Sequence, residues 1–370
     1  MAIPLVDLQI QHRQVAVEIE AGFARVLREG SFILGSDVAD FERAFAEFSG
    51  VAHCIGVANG TDALELALRA LGVGPGDEVI LPVNTFIATA LAVARAGASP
   101  AFVDCDESTG LIDVDAVEAA VGDRTRALLP VHLYGQMAPM AALEAIARRR
   151  DLLLLEDAAQ CQGARQSHAD GERPAGSLGV AAGTSFYPGK NLGAYGDAGA
   201  VLTRDDELAS RVRELRNYGS ERKYQHPRIG FNSRLDTLQA VVLNAKLAHL
   251  DDWNEQRRQA AARYDALLGA ADGVVLPTTL PGNTPVWHLY VVRVAQRDAV
   301  LDALHSKGIA AGIHYPFPLH LTGAFEGSSP RGAFPVAERL ADEILSLPLF
   351  PGITAQQQEE VARALIDSLA

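Results

Sequence analysis

The chain has 370 residues, too many for one small core and enough for a large domain plus a smaller one. Its 48% hydrophobic and 21% charged residues exclude general disorder, and a net charge of −14, spread along the chain, disfavours a nucleic-acid partner. No run nears ~20 consecutive apolar residues, and the start, MAIPLVDLQIQHRQ, has no basic segment leading into an apolar one, so a cytoplasmic protein away from any membrane is expected.

In chain order, Gly30 and Gly72 sit where helix C-caps are expected. From about residue 53 to 203, short apolar runs alternate with helical stretches: HCIGVA then TDALELALRALG, EVILP then TFIATALAVARAG, RALLPV then PMAALEAIARRR, and finally DLLLLED. Such alternation indicates an α/β fold, with a mainly parallel sheet covered by helices on both faces. A polar stretch, NYGSERKYQHPRIGFNSR, reads as a loop, and a helical pattern from about Leu235 to Leu268, kinked near Asp251, connects two domains. Beyond Pro277 the strand HLYVVRV, the helix RDAVLDALHSKG and the strand IAAGI predict a small α+β domain, and roughly Gly323 to Gly332 reads as loose. The boundary is placed between residues 248 and 249, giving domains 1–248 and 249–370.

Cys54, Cys105 and Cys161 are odd in number and far apart, which fits free thiols in a reducing compartment. No Cys or His pair has zinc-ligand spacing, so no metal is expected. Two glycine-rich stretches fail as nucleotide loops. GVGPGD ends a helix and leads into a strand, the reverse of a dinucleotide fingerprint, and between Gly183 and Gly189 the spacing is one residue too long for a triphosphate loop.

Of the four lysines, Lys223 lies in the polar loop, Lys246 within a helix and Lys307 at a helix end. Lys190 alone sits between a strand, AAGTSF, and a glycine-rich turn, NLGAYGDAGA, where small residues let a planar ring approach the backbone. Position alone would favour an ordinary surface loop. Its neighbours add chemistry. Ser185 offers a hydroxyl at a strand end; Asp157 ends the apolar strand Leu152–Leu155, at the carboxyl edge where open α/β sheets bind ligands. An aspartate there either caps a helix or pairs with a protonated ring nitrogen, and Gln160, about one turn on, can reach a ring hydroxyl. Asn59-Gly60-Thr61 opens a helix, which suits a phosphate or simple N-capping, and Phe86 suits ring stacking or the core. Aminotransfer needs such a set: a lysine that forms an imine and moves protons, and a carboxylate that keeps the electron-sink ring protonated.

The segments FILGSDV, ANGTDAL, GDEVILPVNTFIAT, PVHLYGQ, EDAAQ, SFYPGKNLGAYGDAGA, RNYGS, GFNSRLDTLQA and HYPFPLH resemble, almost end to end, the sugar-nucleotide aminotransferases of the fold type I pyridoxal-phosphate enzymes. The resemblance implies a large domain built on a mainly parallel seven-stranded sheet, pyridoxal 5′-phosphate as cofactor, a Schiff base on Lys190, Asp157 on the pyridine nitrogen and Gln160 on the ring oxygen. It further implies that Gly60, Thr61 and Ser185 hold the phosphate, that Phe86 covers the ring, and that Asn232 reaches the phosphate of a neighbouring subunit, hence a homodimer. Dehydrating relatives carry histidine where this chain has Lys190, which favours amine transfer.

SFYPGKN, RNYGS, WHLYVV and HYPFPLH are most similar to enzymes that move an amino group from L-glutamate to C3 of a dTDP-linked 3-oxo-6-deoxyhexose. That likeness places Tyr187, His314 and Tyr315 at the sugar, although His314 and Tyr315 also read as structural residues of the small domain. Amination at C4, a UDP-linked substrate and a non-catalytic cofactor-binding homologue stay open as alternatives.

Overall fold

The structure is a computed structural model that describes residues 2–169 and 171–369. Two helices, α1 (Leu8–Glu29) and α2 (Ser36–Phe48), precede the alternating region. There follow β1 (His53–Val57), α3 (Gly60–Ala70), β2 (Glu78–Pro82), α4 (Ile87–Ala96), β3 (Ser99–Val103), α5 (Val114–Ala120), β4 (Thr125–Leu128), α6 (Met140–Arg150) and β5 (Leu153–Asp157). A hairpin of β6 (Arg165–His168) and β7 (Gly171–Pro174) leads to β8 (Ala181–Ser185), β9 (Gly199–Thr203) and α7 (Asp206–Arg216).

The large sheet has seven strands in the order β1-β9-β8-β5-β4-β2-β3. All neighbours pair in parallel except β9, which runs against both β1 and β8. Successive strand residues point to opposite faces, so each buried strand must be apolar on both. Ile55, Val79, Leu81 and Leu155 enter one core cluster, while Cys54, Ile80 and Leu154 enter clusters on the other side. α3 seals the first face with the fully buried Leu66 and Leu68, each contributing roughly 1.5–3 kcal/mol by burial. Gly30 is a left-handed C-cap with φ 68°, and Gly72, with φ 78°, follows the cap of α3 as expected.

The Leu235–Leu268 pattern resolves into α8 (Thr237–Leu247) and α9 (Leu250–Leu268), with the break at residues 248–249 rather than at Asp251. After the short β10 (Val274–Val275) and β11 (Asn283–Thr284) come β12 (Tyr290–Val294), α10 (Arg297–Ser306), α11 (Pro335–Glu343), β13 (Ile344–Leu347) and α12 (Ala355–Asp367). β10, β12 and β13 form an antiparallel sheet whose core holds Tyr264, Tyr290, Leu304, Leu345 and Leu365, joined by Ile3 from the N-terminus.

IAAGI corrects one expectation. It is not a strand; Ile309 bridges only Ile3, and Gly312 bridges only Ser346. Gly and Ala supply little side chain to pack on a pleated surface, so the segment makes isolated contacts instead of a ladder. The expected loose region from Gly323 contains a 3₁₀ turn at Gly323–Phe325.

Candidate active site

The carboxyl ends of β1, β2, β5 and β8 meet at one cavity of about 400 Å³. Gly60, Thr61, Phe86, Asp157, Gln160, Ser185, Tyr187, Lys190, His314 and Tyr315 all line it, so ten of the eleven residues singled out from sequence converge within one chain. Asn232 does not line the cavity; it is exposed and bridges Asn217.

At the end of β1, the Asn59 side chain accepts from Asp62 N at 2.8 Å and its carbonyl from Ala63 N at 3.1 Å. Of the amides a helix start leaves open, those of Gly60 and Thr61 therefore remain for an anion. Asn59 thus caps the helix and leaves those two amides open. Ser185 ends β8 directly beside it: a Cβ at Gly60 would lie 2.6 Å from Ser185 Cβ, so glycine is what lets the two elements close into one cup.

Asp157 ends β5 on the same face as Leu155 and is 4% exposed. No helix follows it, which removes the capping alternative; its Oδ1 accepts from Ala159 N at 3.1 Å. Thr89, on α4, donates to Asp157 Oδ2 at 2.7 Å. With its proton so committed, Thr89 accepts from the Thr85 hydroxyl at 2.9 Å. Burial raises the Asp157 pKa, against the pull of Thr89, Ala159 and the Lys190 charge. Among the described residues no cation lies within 4.0 Å of this carboxylate.

Lys190 hangs from a turn in which its amide donates to Tyr187 O at 2.8 Å. Burial lowers its pKa to about 8, and Nζ has no acceptor among the described residues. An amine half-neutral near pH 8 is the form that attacks a carbonyl and carries protons. Phe86 is 50% exposed and meets the Tyr315 ring at 5.2 Å, so it belongs to the cavity wall rather than the core.

Gln160 joins the two parts of the site. Its oxygen accepts from Tyr134 N at 2.6 Å and its nitrogen donates to the Tyr315 hydroxyl at 3.1 Å. The Tyr134 hydroxyl in turn donates to His314 O, and His314 Nδ1 lies 2.8 Å from Ser346 Oγ on β13. Burial, then the Lys190 charge, lower the His314 pKa to about 4, so the ring is neutral.

Sequence reasoning missed Thr85, Thr89, Tyr134 and His288. Thr89 sits in an apolar helix as a β-branched residue of core size, and Tyr134 takes φ 60°, a conformation its own residue type does not announce. For His288 the only signal was its place in the WHLYVV motif.

Three unmet needs define what fits here: open amides and a hydroxyl at a helix start, a buried carboxylate without a cation, and a half-buried amine without an acceptor. A planar pyridine carrying a phosphate arm, a protonated ring nitrogen and an aldehyde meets all three.

Residues 14–366 match the DegT/DnrJ/EryC1/StrS aminotransferase family. The chain is 48% identical over 364 residues to a dTDP-3-amino-3,4,6-trideoxy-alpha-D-glucose transaminase of Streptomyces venezuelae, covering 98% of this chain and 95% of that one. It is 46% identical, with 98% and 97% covered, to a UDP-N-acetyl-3-dehydro-alpha-D-glucosamine 3-aminotransferase of Acidithiobacillus ferrooxidans. The crystal structure of S. venezuelae DesV in complex with a ketimine intermediate superposes with a TM-score of 0.96 at 47% identity, covering 99% of this chain and 98% of that one. The chain therefore belongs to the DegT/DnrJ/EryC1/StrS aminotransferase family, and pyridoxal 5′-phosphate is its cofactor.

Proposed function

We propose that this chain transfers the amino group of L-glutamate to C3 of a dTDP-linked 3-oxo-6-deoxyhexose. The observation that carries the reading is the pairing, in one cavity, of a partnerless amine at Lys190 with a cation-less carboxylate at Asp157. The S. venezuelae relative named as a dTDP-3-amino-sugar transaminase supports both the base and the carbon.

Lys190 holds the cofactor covalently, Asp157 takes the hydrogen bond of its ring nitrogen, Gly60, Thr61 and Ser185 hold its phosphate, Gln160 meets its ring oxygen, and Phe86 covers its face. When bound, the cofactor supplies the electron sink that delocalises the pair left on breaking a C–H bond beside nitrogen. In the first half of the reaction the donor's amine displaces Lys190, and the freed Nζ takes the proton from the α-carbon of the donor. In the second half it delivers a proton to the sugar carbon from its own side, which sets the configuration of the new amine. Tyr187, His314 and Tyr315 face the sugar; all three line the cavity with Lys190, and His314 and Tyr315 also tie the C-terminal segment to Gln160 and Ser346.

Asn232 serves the cofactor phosphate of a partner subunit, so the working unit is a homodimer; its exposure outside its own cavity supports a role in trans. The break between α8 and α9 supports a division into domains 1–248 and 249–370. Three free, buried cysteines support a reducing cytoplasm, and no helix among the described residues is long and apolar enough to cross a membrane.

A UDP-linked 3-oxo sugar is the second reading, favoured by the A. ferrooxidans relative. Mass spectrometry and NMR of the product from L-glutamate with dTDP-3-oxo-, dTDP-4-oxo- and UDP-3-oxo-sugars separates them. The expected product carries the amine at C3 of the dTDP sugar; amination of the others alone, or none, overturns the reading.

A further inference from the structure

His288 lies two residues before β12 in the small-domain sequence yet lines the Lys190 cavity. Its ring orientation is dictated by a chain of amides that begins on two backbone carbonyls, which can only accept. Asn254 on α9 donates its Nδ2 to Gln162 O at 2.9 Å, so Asn254 must present Oδ1 at its other side. That oxygen receives Asn191 Nδ2 at 2.8 Å, and the same Nδ2 donates to Val286 O at 2.9 Å. Asn191 is thereby left with Oδ1 facing His288 Nδ1 at 3.2 Å, and this contact is a hydrogen bond only if Nδ1 carries the proton.

In a neutral imidazole with hydrogen on Nδ1, Nε2 is a lone pair and nothing else. Burial, then the charges of Lys190 and Arg257, push the His288 pKa well below its ordinary 6.5, so the ring stays neutral. Nε2 has no hydrogen-bond partner among the described residues and is not sealed from the cavity. Lys190, in the same cavity, is an amine with no acceptor, and Asp157 is the carboxylate whose charge acts on it most. A flexible lysine stem and a fixed acceptor line one cavity.

We propose that His288 Nε2 is the resting acceptor for the Lys190 amine whenever that amine is free of the cofactor, holding it in the cavity without taking its proton. The inference rests on Lys190 carrying the reaction, and it makes His288 a positioning residue. Asn191, immediately after Lys190 in sequence, then also fixes the tautomer that makes His288 an acceptor. A donor at Nε2 would instead oppose a lysine ammonium, so the amide chain through Asn191, Asn254 and Gln162 selects the useful form.

The test uses the cofactor-free protein, in which Lys190 is free. The pH dependence of its reductive methylation is read by mass spectrometry of the peptide containing Lys190. An acceptor favours an ammonium over an amine, so His288→Leu should lower the labelling midpoint of the wild type by about one pH unit. His288→Gln, which retains an acceptor near the position of Nε2, should return it to the wild-type value. Asn191→Ala, which releases the tautomer, should lower it as His288→Leu does, and it stands in if His288→Leu does not fold.

With cofactor restored, glutamate-driven spectral conversion in a single turnover should slow about tenfold in His288→Leu and recover in His288→Gln. An unchanged midpoint in both His288→Leu and Asn191→Ala overturns the proposal, as does a change confined to the KM for the keto sugar. Failure of the wild-type holoenzyme to convert with glutamate would instead sink the aminotransfer reading, and the labelling midpoint would still decide the role of His288.

Discussion

Glu156 and Asp157 are consecutive, both buried, and point to opposite faces of the same strand, yet their surroundings differ in kind. Glu156 accepts from the amides of Gly176, Leu178 and Gly179 at 2.7–2.8 Å and meets His132 Nε2 at 2.8 Å. His132 Nδ1 accepts from Ala138 N, so Nε2 carries the hydrogen and donates it. Burial would raise the Glu156 pKa, but the His132 hydrogen bond and the amides outweigh it and hold the group below its ordinary 4.5. Asp157 has one hydroxyl and one amide, too few to offset burial, and its pKa rises. One carboxylate is complete without a ligand; the other is complete only with one. The contrast separates a group that holds the fold from a group that waits for a cation, within a single residue step.

The largest effect that would break this contrast falls on Asp157. Asp157→Asn should lower single-turnover conversion with glutamate by on the order of 10²-fold or more, since a preorganised electrostatic partner is lost. The same change should leave thermal stability of the cofactor-free protein equal or higher, because a raised carboxylate pKa means that the charged form is disfavoured by folding. A fall in stability with retained turnover would place Asp157 beside Glu156 as a structural group.

Glu156→Gln should do the opposite. Its amide cannot accept every donor now facing the carboxylate, so stability should drop by about 1–3 kcal/mol in denaturant titration, with turnover kept in the molecules that fold. The pH profile gives a second reading. A depressed carboxylate contributes stability that is present above its unfolded value and lost as pH falls through the folded one. The wild type should therefore lose stability on acidification below about pH 4.5, and Glu156→Gln should lose less over the same range.

Much of this was legible beforehand, and the reasons are particular. Leu152–Leu155 is apolar without alternation, which marks a strand covered on both faces and puts Asp157 at its carboxyl end. Lys190 stood out because the other three lysines had ordinary helix or loop explanations. Gly60 was readable as a helix start, but not as the residue whose missing Cβ admits Ser185, since β1 and β8 join only through β9. The supports of the site were the hidden part. Thr89 and Asp157 are 68 residues apart, and Asn191 and His288 are 97 apart, so no local pattern links them. IAAGI failed for a related reason, its partners being single residues at Ile3 and Ser346 rather than a neighbouring strand.

A smaller expected effect sharpens the same comparison. Thr89→Val keeps the shape of the side chain and removes the donor to Asp157 Oδ2, which should weaken cofactor binding about tenfold in a fluorescence titration, the scale of one hydrogen bond to a charged group. Thr89→Ser should restore it. Equal affinity in Thr89→Val would show that Asp157 needs no support from α4.

The most direct measurement is borohydride reduction of the holoenzyme followed by peptide mass analysis. Reduction fixes a lysine–cofactor linkage as a stable amine, and the added mass should appear on Lys190 alone, in the peptide Ser185–Leu192 or one containing it. Added mass on Lys223, Lys246 or Lys307, or on none of the four lysines of a cofactor-loaded protein, would contradict the assignment of the cavity.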